Sequence, residues 1–547
     1  MHNRKLGALM PDKKGIEKIQ HGRIDFYIPI RFETSDSYED LCHKVNIFLD
    51  NDINSHISEI QQSLQDAMDA AQDRLYKEEN GKLSIERTIN KWFREKREAE
   101  GSPVPRTNDG TSMTISVSER GQRIEMLPGE LTAYYERCEE LNHEFEQYKR
   151  VYGIGFVNAQ LRFALWPIHI QLVSGEYVWL NAVLYVFRNK MGILKIEIPL
   201  VNVLIQPLLD YDFDAYFQGS ADQWGIIPQN AELSIDSISK AYLQKIEKIK
   251  GLKIMMMEGT LRNILLSHYQ GMPKQINNIP VEIQEDLYRI IAAPVSIIGS
   301  SSYRQTAREY IDKHSWGDHG MKYILSTTGG CLSIVDDDIV NWLRDHYREV
   351  WQVDKLDVED IETIDKAIIR DLCINVEFVL VILLLKRMNA AYIYGMKRVK
   401  PEEIFDAQMK YDNMLMFISE IQEYCYGTAS EQVEAFERLM PYYLKDKLTS
   451  EKMQAIDRVL ASEEKYRYER FQSFLALAGL VMALVFGLPA IYDTIGIIRA
   501  FFSFITYDVP ILSIENISIG IWGGLIVLLV VQFLRTKKMN RKRVSQC

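Results

Sequence analysis

Two apolar segments near the C-terminal end constrain the architecture of this chain more than any other feature. The first covers residues 471–492 (FQSFLALAGLVMALVFGLPAIY) and the second covers residues 517–534 (ISIGIWGGLIVLLVVQFL). A transmembrane helix needs roughly 20 predominantly apolar residues to cross a hydrocarbon core of about 30 Å. The sequence therefore predicts a C-terminal two-helix transmembrane hairpin, with an extracytoplasmic loop at residues 493–516.

The distribution of basic residues predicts the orientation of this hairpin. The loop contains one basic residue, Arg499, whereas the tail at residues 535–547 and the end of the preceding region are rich in them: Lys465, Arg467, Arg470, Arg535, Lys537, Lys538, Arg541, Lys542 and Arg543. Basic residues favour the cytoplasmic side of a membrane. We therefore expect a multi-pass protein of the inner (cell) membrane of a bacterium or archaeon, with both termini cytoplasmic.

Composition limits the functions of the residues before the first span. The chain is 47% hydrophobic and 25% charged, which is ordinary for a globular protein that buries a core. Its net charge of −11 argues against direct nucleic-acid binding. The six cysteines are scattered without a C-x-x-C pair, so no zinc cluster is predicted.

An α+β domain is predicted for residues 25–230, after an N-terminal tail at residues 1–24. Residues 25–32 alternate as a strand does, and helix-prone stretches follow at residues 37–99 and 128–152. Three β-rich runs come next, at residues 161–173, 177–188 and 193–205. Sequential strands joined by short turns favour a mixed or antiparallel sheet with helices.

The remaining cytosolic residues form two predicted regions. Residues 231–350 are a mixed α/β segment and the candidate ligand-sensing region, with helical stretches to about residue 293 and then short strands. Residues 351–470 form a helical region and stalk, in which residues 378–385 (FVLVILLL) are too short to span a membrane and predict a buried core helix. A continuous helix over residues 449–492 would couple this region to the first span.

No motif of a known enzyme class is recognisable. The sequence lacks G-x-x-x-x-G-K-[ST], H-E-x-x-H and G-x-S-x-G. Gly153 and Gly155 begin a dinucleotide-type fingerprint, but Asn158 stands at the third glycine position. No catalytic residue is assigned, and we expect a protein that is not an enzyme.

Small residues recur along one face of the first predicted span. Their spacing of three or four places them on one side of a helix, and an acidic residue follows them; the pore-lining candidates are Ala476, Gly479, Ala483, Gly487, Ala490 and Asp493. Such a face permits close helix packing in lipid, or it lines a pore built from several copies. A two-span hairpin cannot enclose a pore alone, so the pore interpretation requires a homo-oligomer.

A ligand site is predicted on loops that offer hydroxyl, backbone and basic groups. The candidates are Ser300, Ser301, Ser302, Arg304, Thr327, Thr328 and Gly329, together with Lys149, Arg150 and Arg162 near the β-rich runs. These groups suit an adenine-type nucleotide. The alternative interpretation is that both loops are ordinary turns.

The large α/β region, the long helix entering the first of two C-terminal spans and the basic tail together resemble the CorA family. The resemblance implies a homopentameric magnesium channel whose first spans line the pore. The family motif Gly-Met-Asn is absent, because Gly487-Leu-Pro-Ala-Ile-Tyr-Asp493 stands in its place. In this respect the chain looks like the divergent CorA-like effectors of type III CRISPR systems, which implies a response to a nucleotide second messenger such as the conjugate of S-adenosylmethionine with AMP (SAM-AMP).

These observations predict a homo-oligomeric, CorA-like membrane channel that a cytosolic nucleotide opens, causing ion flux in antiviral defence. Its expected partners are the lipid bilayer, further copies of the chain and the nucleotide. One alternative is a magnesium or other divalent-cation transporter that senses metal through Asp336, Asp337 and Asp338. Acidic residues there are equally typical of a helix start. A second alternative is a membrane-anchored scaffold without transport.

Overall fold

The structure of the protein is a computed structural model. It describes residues 15–75, 129–221, 224–227, 233–292, 301–317, 319–350, 358–395, 401–423, 425, 427–502, 519–524, 527–528 and 531. The sequence also predicts a short strand at residues 113–117 and a short apolar run at residues 295–298, and both lie outside the described residues. Contacts between residues divide the chain into two compact units, and the boundary between them in the sequence follows Ser450.

Within the described residues, the first unit is built on a mixed sheet of 11 strands. The strands are β1 (Lys18–Glu33), β2 (Gln160–Ala164), β3 (Ile168–Leu172), β4 (Tyr177–Phe187), β5 (Met191–Leu204), β6 (Phe217–Ala221), β7 (Lys253–Met256), β8 (Leu261–Tyr269), β9 (Ser315–Trp316), β10 (Met321–Ser326) and β11 (Gly330–Val335).

The sheet order is β6-β3-β4-β5-β1-β8-β11-β10-β9, with β2 paired to β4 and β7 paired to β1. Every pair is antiparallel except β8 with β11, which is parallel. The long strand β1 therefore lies at the centre, between β5 and β8. One sheet thus joins strands from residues 25–230 and from residues 231–350.

The helices of the first unit cover this sheet. They are α1 (Tyr38–Leu75), α2 (Gly129–Val151), α3 (Ile154–Asn158), α4 (Gln206–Leu209), α5 (Ile235–Ile246), α6 (Val281–Ala292), α7 (Ser301–Lys313), α8 (Asp337–Val350), α9 (Val358–Tyr394), α10 (Pro401–Gln422), α11 (Thr428–Leu439) and α12 (Pro441–Leu444).

Helix α9 packs into the core through its apolar centre. Residues 378–385 are all 0% exposed, so the prediction of a buried core helix there is confirmed. Phe378 stacks on Tyr152 with ring centres 4.5 Å apart, and the Tyr152 hydroxyl donates to the Ile374 carbonyl at 2.8 Å. These contacts fix α9 against the end of α2.

The strand predictions are partly right. The run at residues 161–173 forms two strands rather than one, because Trp166 and Pro167 separate β2 from β3 and the proline has no amide hydrogen to donate. Strands β7 and β8 lie where a largely helical stretch was expected. The α+β class with a sheet and surrounding helices agrees with the structure.

The transmembrane hairpin does not agree with the structure. Residues 471–492 belong to one 57-residue helix, α13 (Asp446–Phe502), whose first part is rich in charged side chains and whose interior contains Pro489. Among the residues that the structure describes, no helix combines the length and the apolar character needed to cross a membrane. The second predicted span is described only at residues 519–524, 527–528 and 531.

Three predictions depend on this hairpin. The hairpin itself, the assignment as a membrane protein and ion channel, and the multi-pass inner-membrane localisation are all wrong on this finding. The sequence predicted a continuous helix over residues 449–492, and α13 contains it, but the prediction that its apolar part crosses a membrane is not supported. In the structure these residues are the inner part of a longer helix that also carries polar and charged turns.

Candidate ligand-binding site

A cavity of about 510 Å³ lies on one face of the sheet. Its walls come from β1, β4 and β5 of the sheet and from the helices α2 and α9. Cavities of roughly 300–1,000 Å³ are typical of small-molecule sites. The size and the mixed polar and aromatic lining make this cavity the candidate site.

Strand register places the polar floor of the cavity. Glu197 of β5 is paired with Asn181 of β4 on one side and with Asp25 of β1 on the other. Residues paired across neighbouring strands point to the same face of the sheet. The three side chains therefore form a polar row directly below the cavity, and Asn181 and Glu197 line it.

Two arginines bring positive charge to this floor. Arg137 of α2 donates to Glu144 at 2.8 Å and to Glu197 at 2.9 Å, while the Arg23 Nε lies 2.8 Å from Asp25 Oδ1. Arg137 is 2% exposed and Arg23 is 9% exposed. Both arginines line the cavity, and the carboxylates that they contact are buried.

The charged row continues into the core as an ion network. Lys195 of β5 lies 2.8 Å from Glu197 and donates to Glu377 of α9 at 2.6 Å. Arg162 of β2 lies 3.2 Å from Glu377 and 3.7 Å from Glu144. The network therefore links β1, β2 and β5 with α2 and α9, and it balances acidic against basic side chains.

The network shifts the pKa values of its carboxylates. Burial alone would raise the pKa of Glu197, but the nearby cations Arg137 and Lys195 outweigh it and hold this pKa well below its usual range. Burial also opposes ionisation of Glu377, yet Lys195 and Arg162 lower its pKa to about 2. Both carboxylates are thus charged at neutral pH, as buried paired acids are when cations surround them.

Further cations stand at the rim of the cavity. Lys366 and Arg370 of α9 line it, and Arg370 lies 3.0 Å from Asp371. Glu136 of α2 also lines it, and its partial removal from water raises its pKa. The rim thus offers basic groups that are more accessible than the buried floor.

An aromatic wall completes the site. Trp179 of β4 is half-buried, lines the cavity and stacks on His169 of β3 with ring centres 4.4 Å apart. Tyr177 lies beside them, 5.1 Å from His169. A flat ring held in this way offers a stacking surface for a planar ligand.

The chain was compared with protein families, curated proteins and solved structures. No match was found. The function is therefore argued from the residues of the site alone.

The structure separates the predicted basic residues. Arg162 is buried in the ion network, with its guanidinium carbon 4.1 Å from the Tyr148 ring centre. Lys149 and Arg150 end α2 and are exposed. These three residues do not form one site, and none of them lines the cavity.

The predicted loop residues also lie away from the cavity. Arg304 of α7 donates to Glu285 at 2.7 Å. Thr327, Thr328 and Gly329 form the turn between β10 and β11, where the Ser326 and Thr328 hydroxyls are 2.7 Å apart. Ser301 and Ser302 belong to α7 but their side chains, and Ser300 altogether, lie outside the described residues.

The predicted pore-lining residues all lie on α13. Four of them, Ala476, Gly479, Ala490 and Asp493, are exposed, and the side chain of Ala483 lies outside the described residues. A Cβ atom added to Gly487 would lie 3.7 Å from the Trp522 ring. Their role as a pore lining required a membrane-spanning helix. Because no described helix is able to cross a membrane, this pore-lining role is not supported.

Asp336 has a structural role in the described part of the chain. Its carboxylate accepts hydrogen bonds from the amides of Ile276 at 2.9 Å and Ile339 at 3.0 Å, so it caps the start of α8 and holds a preceding loop. Among the described residues, no group of three or more His, Cys, Asp or Glu side chains is placed to hold a metal ion.

Sequence reasoning missed Arg23, Arg137, Glu197 and Trp179. A signal was present in the strands, because Arg23 and Asp25, and likewise Lys195 and Glu197, are two residues apart. A spacing of two puts both charges on one face of a strand. Charged pairs of this kind inside two apolar strands indicate a buried polar cluster.

Proposed function

We propose that the first unit is a ligand-binding domain that takes a nucleotide-type ligand in the cavity between the sheet, α2 and α9. One observation carries the proposal: a cavity of about 510 Å³ with an aromatic wall and two guanidinium groups at its floor. A nucleotide offers the matching chemistry, since it joins a planar base to anionic groups.

The aromatic wall suits the base. Trp179 is partly accessible and His169 supports it from behind. Stacking of a base on an aromatic side chain contributes roughly 1–3 kcal/mol by alanine substitution. The Asn181 amide, which lines the same cavity, has both donor and acceptor atoms for the edge of a base.

The basic groups suit the anionic part. The buried Nε of Arg137 has no hydrogen-bond partner among the described residues. Lys366 and Arg370 add positive charge at the rim. Charge-assisted hydrogen bonds from guanidinium groups to phosphate are about twice as strong as neutral ones.

The ion network gives ligand binding a route to the helices. Arg137 belongs to α2 and Glu377 belongs to α9, and both contact charged groups of β5. A ligand anion that draws Arg137 away from Glu197 would change the balance of charges along this chain of contacts. A sensor whose ligand shifts α2 against α9 follows from this arrangement.

Isothermal titration calorimetry of the full chain with AMP, and separately with SAM-AMP, measures the binding affinities and tests the proposal. We expect Trp179→Ala to weaken binding about tenfold or more, since it removes the stacking surface. The matched control is Trp342→Ala, because Trp342 of α8 is 61% exposed and does not line the cavity. Equal affinities for the wild type and Trp179→Ala, or no binding of either nucleotide, would refute the proposal.

Ion flux, metal transport and membrane anchoring are not part of this proposal, because each required the transmembrane hairpin. The self-association expected from the sequence stays a prediction, and a mass measurement of the full chain in solution checks it. A nucleotide as second messenger likewise stays a prediction, which the SAM-AMP arm of the titration tests.

A further inference from the structure

Arg262 of β8 lies on the sheet face opposite the ion network. It is paired in register with Phe26 of β1, whereas its neighbour Asn263 is paired with Asp25. Successive side chains of a strand point to opposite faces, so Arg262 and Asp25 are on different sides of the sheet. Any site at Arg262 is therefore separate from the cavity.

The Arg262 guanidinium is held flat against aromatic rings. Its central carbon lies 4.0 Å from the centre of the Tyr211 ring and 5.2 Å from that of Phe213. Its Nη2 donates to the Tyr211 hydroxyl, which in turn donates to the Ile291 carbonyl at 2.7 Å. These contacts fix the direction in which the guanidinium presents its remaining N–H groups.

Arg262 has no counter-ion within the described part of the chain. No carboxylate lies within ion-pair distance there, and its buried Nε has no hydrogen-bond partner. The buried Arg23 and Arg137 each face carboxylates, whereas the buried Arg387 of α9 likewise has no ion pair among the described residues and lies over the Tyr394 ring. Burial lowers the pKa of Arg262, yet a guanidinium remains charged at neutral pH. No carboxylate among the described residues compensates this positive charge.

The backbone around Arg262 is shaped to hold the guanidinium in place. Tyr211 adopts a left-handed conformation, with φ of 60°, which is strained for a bulky residue. Gly330 is paired with Arg262, and a Cβ on Gly330 would lie 3.2 Å from Nε and 3.4 Å from Nη2. Glycine therefore lets the backbone of β11 approach the guanidinium closely at its buried Nε.

A second cation stands nearby. Arg289 of α6 lies 3.6 Å from Asp210, the residue before Tyr211. Asp210 thus contacts Arg289 while the adjacent Tyr211 contacts Arg262. These two guanidinium groups share a single carboxylate, so the net charge of the group is positive. The sequence joining α6 to α7 (residues 293–300, APVSIIGS) contains no acidic residue that could neutralise it.

We infer that Arg262 anchors a phosphate group at this surface, with Arg289 as the second cation. The planar guanidinium presents parallel N–H donors that match the oxygens of a phosphate. The turn between β10 and β11 lies directly beside it, since the Gly329 carbonyl accepts from the Arg262 amide at 3.2 Å. This site goes beyond the proposed nucleotide cavity and does not depend on it.

Calorimetric titration of the full chain with inorganic phosphate, and separately with AMP, tests the inference. We expect Arg262→Lys and Arg262→Gln to weaken phosphate binding about tenfold or more, because lysine keeps the charge but loses the planar fork. Gly330→Ala should also weaken it, since the added methyl group crowds Nε. If Arg262→Gln fails to fold, Arg262→Lys carries the test.

Two controls make the outcome specific. Arg308→Gln removes an arginine of α7 that is 72% exposed and should leave phosphate affinity unchanged. Trp342→Ala should also leave it unchanged, because Trp342 of α8 is 61% exposed and belongs to neither proposed site. The inference is overturned if the wild type shows no saturable phosphate binding at millimolar concentrations, or if both Arg262 variants bind phosphate as the wild type does.

Discussion

Lys195 of β5 donates a hydrogen bond of 2.6 Å to Glu377 of α9 inside the core of the first unit. The two side chains are 0% and 1% exposed, and 182 positions of sequence separate them. This contact joins the central sheet to the helix that covers it. Since a buried charge is costly when its partner is lost, the stability of the whole unit depends on this pair.

Glu377→Gln should lower the free energy of unfolding by about 3–5 kcal/mol, because it leaves Lys195 and Arg162 without full compensation. Urea denaturation measures the change. The matched control is Glu437→Gln, which breaks the partly exposed pair with Lys386 and should cost less than about 1 kcal/mol. Similar losses in the two variants would show that the network does not stabilise the unit.

The stability of the unit should fall in acid. The pKa of Glu377 is lowered to about 2 in the folded state from an ordinary value of 4.5, and that of Glu197 is also lowered. A lowered folded-state pKa contributes stability that is fully present above the unfolded pKa and is lost as the pH falls through the folded pKa. We expect the free energy of unfolding to decrease from about pH 4.5 to pH 2. Glu377→Gln should show a shallower decrease, and an identical pH profile would contradict this assignment.

Phe378→Ala should destabilise the unit by about 3–5 kcal/mol, because it opens a cavity where Phe378 stacks on Tyr152. Phe405→Ala is the matched control, since Phe405 of α10 is 67% exposed. Thermal unfolding of both variants compares a buried with an exposed phenylalanine. If Phe405→Ala loses as much stability as Phe378→Ala, the Phe405 side chain of α10 is also packed against other residues.

Asp336→Ala should cost about 1–2 kcal/mol, because the amides of Ile276 and Ile339 lose their acceptor. The melting temperature of the variant measures this loss. Asp338→Ala is the comparison, because Asp338 also lies in the first turn of α8 but holds neither of these amides. If Mg²⁺ raises the melting temperature of the wild type but not of Asp336→Ala, metal binding rather than capping explains the role of Asp336.

The sequence alone determined those parts of the fold that depend on short-range patterns. The run at residues 378–385 has no charge over eight positions and charges on both sides, so its burial follows from composition. The β-rich runs at residues 177–188 and 193–205 alternate or remain apolar over whole strands, and they became β4 and β5. For residues 471–492 the same reasoning predicted a helix continuous with the preceding residues, which α13 contains, but the prediction that this helix crosses a membrane is wrong.

Only the tertiary structure decided the candidate sites. Arg137 meets Glu197 across 60 positions of sequence and Lys195 meets Glu377 across 182, and no local pattern pairs such distant residues. Arg262 and its neighbour Asn263 point to opposite faces of the sheet, and the pairing of β8 with β1 fixes which residue lies on which face. Charges interact through space rather than along the chain, so the sequence supplied the charged side chains and the fold determined which of the described ones form ion pairs and which do not.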